Sequence, residues 1–470
     1  LFKLPSDLEG LLRGGGTLVV PSEQRVRAVK LAYAAAQLAG GGRVWASPRV
    51  LTPSTWVRRE AERRAEAAPQ EWPRILTSSE EWLLWRQAAL EAAQGLPFLD
   101  AGALGESLQR SSERAAEWGV RIRAGRAGSE TQLLFEAQRF VEARCRERHA
   151  ACVSALLPRL HPVAAPPVWR GFERLPPALA AVADARMPAS APAPPGDTRA
   201  LRTRDAPSQL EAIAGWCHER LSGQPDARVL VMLPGAAGER ERLAALIRSS
   251  LDPGAVLHDG APAPALVGIE GGAPLASLPL PTQALLSLTV LAEAGIEVES
   301  VSDWLTAPYW TSPAAGARAA LAQLLRERGP ARVSFRELLG ALQLAPRELR
   351  SAAHELDTQL RRAAGQLGEG SCTPRRWSER FRGALAALSW PGPLPPDSAV
   401  HQTEVRWIAL LEEFGELAGS LDTLGLEAAL TLLRALAQRT RHGPADEEAP
   451  VTISPMLADP VVRYDGIWVG

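Results

Sequence analysis

Lysine is almost missing from this 470-residue chain, which has only Lys3 and Lys30. A P-loop needs a lysine directly after its glycine loop to reach the nucleotide phosphates. Lys3 precedes any strand pattern, and Lys30 lies within a helical pattern followed by Leu31. P-loop ATP hydrolysis by the chain alone is therefore not expected. Nuclease centres of the metal-dependent type add a lysine to two acidic ligands to hold the attacking water, and no Asp/Glu-x-Lys occurs here. Cysteine is nearly as scarce. Cys145, Cys152, Cys217 and Cys372 are scattered without a CxxC pair, which fits reduced thiols and excludes a disulfide framework. Cys145, His149 and Cys152 fall at i, i+4 and i+7 and could offer three soft ligands to zinc. A fourth ligand is missing, so buried thiols on a packed helix are the expected reading, with no metal site and no cofactor.

Long apolar runs are also missing. None reaches the ~18 to 20 residues that span a bilayer, and the first residues lack a signal-peptide pattern. A cytoplasmic protein without a membrane partner is expected. The net charge of −1 supplies no global attraction to nucleic acid. Charge is uneven locally: residues 1–66 carry eleven Lys or Arg against six acids. Within them Arg58, Arg59, Arg63 and Arg64 form either a solvated helix face or a contact surface. The length implies two to four domains, and the 46% apolar and 22% charged content is that of a globular chain.

What is present starts with Gly14-Gly15-Gly16-Thr17-Leu18-Val19-Val20-Pro21-Ser22-Glu23-Gln24-Arg25. It reads as a buried strand, a tight turn and a helix from Val26 to Leu38, the opening of a nucleotide-binding α/β unit. Pro21 has no N–H for a phosphate, and Glu23 repels one. A second strand is expected within 43–53, with Ser54 or Thr55 capping the helix from Trp56. The capping box Thr77-Ser78-Ser79-Glu80 opens a helical block that runs to about Leu160. Inside it, Gly125 to Thr131 imitates a phosphate loop but carries Glu130 where the lysine belongs, so it reads as an interhelical loop. Strand character returns at Pro167 to Phe172, followed by a helix over 175–185, and Met187 to Gly196 is the clearest linker.

A second α/β stretch follows: helix 209–221, strand 228–233, helix 239–249, a strand at 266–270, and helices at 280–292 and 301–310. Another helical block spans about 314–438 and is broken by the turn Trp390-Pro391-Gly392-Pro393. Strands at 451–454 and 466–469 close the chain. The order is α/β, helical, α/β, helical, α/β.

That order, with several local strings, resembles the helicase-like region of AddB-type proteins and of putative DNA repair proteins of the PD-(D/E)XK nuclease superfamily. The strings are Thr17 to Ser22 with Arg25, Val168-Trp169-Arg170-Gly171-Phe172, Trp304-Leu305-Thr306-Ala307-Pro308-Tyr309, Ser389-Trp390-Pro391-Gly392 and Tyr464 to Gly470. The resemblance implies an α/β fold of the UvrD and RecB type. It has two RecA-like (P-loop NTPase-type) parallel-sheet cores, each with an inserted helical subdomain. The first core takes residues 1–60 and 161–200, with an insertion at 61–160. The second takes 201–310 and 446–470, with an insertion at 311–445. Active relatives carry a Thr-x-His and a Lys-Gly-Leu-Glu segment near 452–465, of which this chain keeps only Thr452. Ser22 and Arg25 are then vestigial nucleotide-site positions.

The implied function is an inactivated, non-catalytic scaffold of a repair or recombination nuclease, binding single-stranded or forked DNA. The nuclease domain is expected to lie outside this chain, which reads as a fragment of such an exonuclease. Arginines would take phosphates and aromatics would stack on bases, with Arg25, Thr52, Trp56, Arg170, Tyr309 and Thr452 as candidate contacts. For the aromatics, including Trp304 and Trp310, the competing reading is core packing. The alternative function is an interaction subunit that docks a partner helicase or nuclease subunit with little DNA binding. An active ATP-dependent helicase is a third, remoter reading.

Overall fold

A computed structural model describes the chain except residues 1–2, 94–99, 125–128, 161–162, 164, 184–197, 236, 255–265, 293–294, 312, 329–330, 394–397 and 444–448. The chain divides into two compact units, Leu1–Gly271 with Asp446–Gly470, and Gly272–Ala445. The fold is mixed α/β, with small parallel sheets and many helices. No helix among the described residues is long and apolar enough to cross a membrane.

The first unit opens with α1 (Ser6–Arg13), β1 (Thr17–Val19) and α2 (Glu23–Ala39). Gly15, at φ +75°, makes the reversal between α1 and β1, a backbone region that costs glycine nothing. Leu18 and Val19 are fully buried. β2 (Arg49–Leu51) leads into α3 (Pro53–Ala67), where Thr52 caps the first turn and Pro53 starts it without wasting an N–H. A mostly helical block follows: β3 (Arg74–Ile75), α4 (Ser78–Ala92), α5 (Ala101–Glu117), α6 (Ser129–Glu147) and β4 (Ala150–Ala151). The capping box of Thr77 and Glu80 is formed as expected. β5 (Val168–Trp169) then completes a parallel sheet of order β2-β1-β5, with Leu18 opposite both Val50 and Val168.

Past α7 (Pro177–Ala183) come α8 (Ala206–Gly223), β6 (Val229–Met232), α9 (Ala237–Leu251) and β7 (Val267–Ile269). The linker expected at 187–196 and the loop glycines at 125–128 lie outside the described residues.

The second unit contains β8 (Ala273–Pro274), α10 (Pro279–Leu291), β9 (Ile296–Glu297), α11 (Val298–Thr306), α12 (Ala315–Arg328) and β10 (Arg332–Val333). It continues through α13 (Phe335–Gln343), α14 (Arg350–Leu367), α15 (Pro374–Ala387), α16 (Ser398–Glu416), α17 (Leu426–Arg439) and β11 (Arg441–His442). Residues 272–310, expected to belong with the second core, fall within the compact unit Gly272–Ala445. The reason is α10: Leu280, Ala284, Leu285, Leu288, Val290 and Leu291 are all buried, so this helix is apolar on more than one side and packs among α11, α14, α15, α16 and α17.

The string around Trp304 is a packing device of this unit. Trp304 and Trp310 meet edge-on at 4.6 Å, Trp304 Nε1 donates to Ser287 Oγ at 2.8 Å, and Trp310 Nε1 donates to the Trp304 carbonyl at 2.9 Å. Buried Arg318 donates to the carbonyls of Leu305 (2.9 Å), Ala307 (3.3 Å) and Pro313. It thereby satisfies groups that the end of α11 leaves without helical partners.

Returning to the first unit, β12 (Val451–Ser454) and β13 (Gly466–Val469) build a second parallel sheet of order β13-β6-β12-β7. All four residues of β6 and of β12 are buried; β6 is a continuous apolar run, while β12 buries Thr452 and Ser454 along with Val451 and Ile453. Asp465 sets the register of β13, accepting from the Arg228 N–H at 2.9 Å through Oδ2 and donating its own N–H to the Arg228 carbonyl at 2.8 Å.

Candidate functional site

Ligands of open parallel sheets bind beyond the carboxyl ends of the strands. In the first unit such ends from both sheets converge. β1 runs into Val20-Pro21-Ser22 and α2, whose first-turn N–H groups favour an anion. Ser22 Oγ accepts the Arg25 N–H at 3.3 Å and donates to Glu270 Oε1. Glu270 follows β7 in the other sheet and is 8% exposed. The place where a phosphate would be drawn is held by a carboxylate of the chain itself.

Arg25 closes the position from the other side. It is 4% exposed, and its guanidinium donates to the carbonyls of Gly171 (3.4 Å) and Ala458 (2.9 Å). Burial lowers its pKa, while the fields of Glu270 and Asp459 act against that. A guanidinium stays charged throughout the working range of proteins, so the site encloses a buried cation near the buried carboxyl group of Glu270. The cavity left among Gln24, Arg25, Glu270, Thr452, Ser454 and Tyr464 is about 10 Å³. That holds about one water, against the ~300 Å³ or more of a pocket for a drug-sized ligand.

Two backbone features fix the wall. Gly171 has φ +84°, and a Cβ there would lie 2.7 Å from Val461 Cγ2 and 3.0 Å from Pro21 Cδ. Val461 itself adopts φ +70°, an unusual conformation for a β-branched residue. Its N–H donates to Asp459 Oδ1 at 2.8 Å. The loop carrying Ala458, Asp459 and Val461 is thus pressed against the turn after β5.

Tyr464 completes the lining. Burial, the largest cause, pushes its phenol up to about 12, and a hydrogen bond with Thr452 acts in the opposite direction. The ordinary value is about 10, so folding holds this proton more tightly. The resulting stabilisation is complete below pH ~10 and is lost as pH rises toward ~12, roughly 2 to 3 kcal/mol in all. Cys217, pushed by burial to about 12, loses stability in the same direction from about pH 9 upward. Tyr464→Phe is expected to flatten the fall of stability between pH 10 and 12, leaving the Cys217 part. Urea unfolding across that range measures it, and an unchanged slope refutes the assignment.

Of the candidate contacts, the structure brings Ser22, Arg25 and Thr452 together here. Thr452 is buried and bonded to Tyr464. Thr52 is buried and works as the cap of α3, with its hydroxyl donating to Thr55 Oγ1 at 2.9 Å. Trp56 is buried edge-on to Trp169 at 5.6 Å, the core-packing alternative. Arg170 is buried, and its N–H extends the sheet by donating to the Val19 carbonyl at 3.0 Å. Arg25, Thr52, Trp56, Arg170 and Thr452 therefore do not present their side chains to solvent. Tyr309 belongs to the second unit and is half-buried, with burial raising its pKa.

The arginine cluster on α3 is divided: Arg58 and Arg64 are partly buried, while Arg59 and Arg63 are exposed. Arg58 donates to the Leu76 carbonyl at 2.8 Å, Arg63 and Arg64 both pair with Glu60, and Arg64 also donates to the carbonyls of Arg159 and Leu160. Neither a free contact surface nor a purely solvated face describes it. Of the zinc-like trio, the two cysteines meet and His149 stands apart. Helix α6 ends at Glu147, His149 is exposed in a left-handed turn, and the thiols of Cys145 and Cys152 are buried and hydrogen-bonded to each other. Among the described residues, no group of three or more His, Cys, Asp or Glu is placed to hold a metal ion.

Glu270 and Tyr464 are the residues that sequence reasoning passes over. The available signal for Glu270 was its position, a lone carboxylate at the carboxyl end of an apolar parallel strand. No protein-family model matches the chain, and no curated protein matches it.

Proposed function

We propose that the chain is a helicase-like scaffold of a DNA repair or recombination nuclease, built on two RecA-like cores that no longer take nucleotide. The observation that carries this reading is the Ser22–Glu270 contact at the start of α2, backed by buried Arg25. A motor must open and close around a triphosphate, and here an internal carboxylate fills that place. The order of sheets and helical blocks supports the same reading. Holding single-stranded or forked DNA for a nuclease is the role that remains for such a platform.

A second reading, an interaction subunit with little DNA binding, is favoured by the burial of Arg25, Thr52, Trp56, Arg170 and Thr452. Titration of labelled single-stranded and forked DNA at about 50 and 200 mM salt separates the two. Several phosphate contacts would make affinity fall by ~100-fold or more between those salts. No binding at the lower salt rejects the DNA scaffold in favour of the interaction subunit.

A further inference from the structure

The second unit contains a cavity of about 360 Å³ between α13 and α14, lined by Phe335, Arg336, Leu339, Gly340, Gln343 and Arg361. It is a recess open to solvent, with a volume near the lower end of the range for ligand pockets. The wall combines apolar and cationic groups: Phe335 and Leu339 are buried, while Arg336 and Arg361 are exposed. The two arginines differ. Arg361 is held by Asp357 through two hydrogen bonds of 2.8 and 3.1 Å, so its charge is largely matched. Arg336 has no hydrogen-bond or ion-pair partner among the described residues.

Gly340 adds an independent observation. It stands inside helix α13, where glycine costs roughly 0.5–1 kcal/mol relative to alanine, and a Cβ there would meet nothing within 4 Å. Packing within the unit does not require a glycine. Gly340 leaves bare helix backbone in the cavity wall. Leu344, next to the lining residue Gln343, is 79% exposed, so an apolar side chain open to solvent follows the cavity wall at the end of α13.

We infer that this cavity docks an acidic peptide segment of a partner protein, with a carboxylate on Arg336 and an apolar side chain against Phe335, Leu339 and Leu344. A nucleic-acid strand presents a row of phosphates and needs a row of unmatched cations, whereas Arg361 is already engaged by Asp357. A small ligand confined to the cavity would leave Leu344 uncovered. The inference goes beyond the proposed scaffold role, and its cavity shares no residue with the closed site, so either can fail without the other.

The test uses the full chain and fluorescence anisotropy of a labelled peptide, Gly-Glu-Glu-Phe-Glu-Glu-Leu-Gly, with its lysine-for-glutamate counterpart and a labelled oligothymidine as further probes. Arg336→Glu and Gly340→Trp are each expected to weaken the acidic peptide at least ~10-fold, and Arg362→Glu, the same charge change on α14 outside the lining, by less than ~2-fold. Circular dichroism and the thermal midpoint verify folding, and if Gly340→Trp does not fold, Arg336→Glu decides. Equal loss in Arg336→Glu and Arg362→Glu, or equal binding of the lysine peptide, overturns the inference. So does oligothymidine binding that is lost in Arg336→Glu while the acidic peptide stays silent, a result that assigns the cavity to nucleic acid.

Discussion

Arg25→Ala is expected to destabilise the first unit by about 3–5 kcal/mol, the range for breaking a buried charge arrangement by removing one partner. The substitution takes away two donors, leaving the Gly171 and Ala458 carbonyls unfilled. It also removes the cation whose charge interacts with that of Glu270, itself 8% exposed. The second effect is the larger. An unfilled carbonyl costs ~1–3 kcal/mol, but a buried charge without compensation cannot be relieved by small shifts of the backbone. Arg25→Lys is expected to recover little, because one ammonium cannot reach both carbonyls with the geometry of a planar fork. Arg25→Met combined with Glu270→Gln is expected to recover more than half of the loss, because the pair is then neutral. Hydrogen exchange at the amides of α2 and β12 gives the local free energy without assuming that both units unfold together. A change below ~1 kcal/mol would show that Arg25 is not the keystone of the closed site.

Gly392→Ala is expected to cost the second unit about 3–5 kcal/mol. At Gly392 φ is +79°, and an added Cβ would lie 2.6 Å from the carbonyl carbon and 2.9 Å from the Cα of Tyr309. Both opposing atoms are backbone, so no side-chain rotation relieves the contact. The left-handed conformation alone costs a non-glycine residue ~1–3 kcal/mol, and overpacking a filled interior adds a similar amount. Relief would require moving Tyr309 away from Trp310, whose indole is anchored on the Trp304 carbonyl. Limited proteolysis of the second unit and its thermal transition report the effect. A variant as resistant as the parent would show that the turn yields easily.

Much of the architecture was readable in the residues because the strands announce themselves. β6 is a short apolar run, β12 and β13 are short and rich in β-branched or aromatic residues, and the expected limits for β12 and β13 coincide with those observed. The capping box at Thr77 and Glu80 was a local signal of the same kind, whereas the cap of α3 is Thr52 rather than Ser54 or Thr55, because the helix starts three residues earlier than expected, at Pro53. The start of the second unit was not readable. An all-apolar helix such as α10 carries no polar face to reveal which neighbours it joins, so periodicity cannot assign it to a unit. The small β3–β4, β8–β11 and β9–β10 pairs were also missed, each strand having only two residues.

The candidate site was half readable. Its N-terminal side was visible because β1, Ser22 and α2 are contiguous, and so was the missing lysine. Its closure was not, because Ser22 and Glu270 stand 248 residues apart, and nothing local distinguishes Glu270 from any other glutamate after a strand. The contact positions Thr52, Trp56 and Arg170 were misleading for a related reason. Residue type and loop position suggest a ligand-facing role, but whether a side chain turns inward depends on what packs over it. For Trp56 the neighbour is Trp169, more than a hundred positions away.

The most direct test is isothermal titration of the purified chain with ATP and magnesium. No saturable heat is expected up to about 1 mM nucleotide, a free energy of ~4 kcal/mol at most. One-to-one binding with a dissociation constant in the micromolar range, abolished by a bulky substitution at Ser22, would mean that Glu270 leaves its place and that the site is still a nucleotide site.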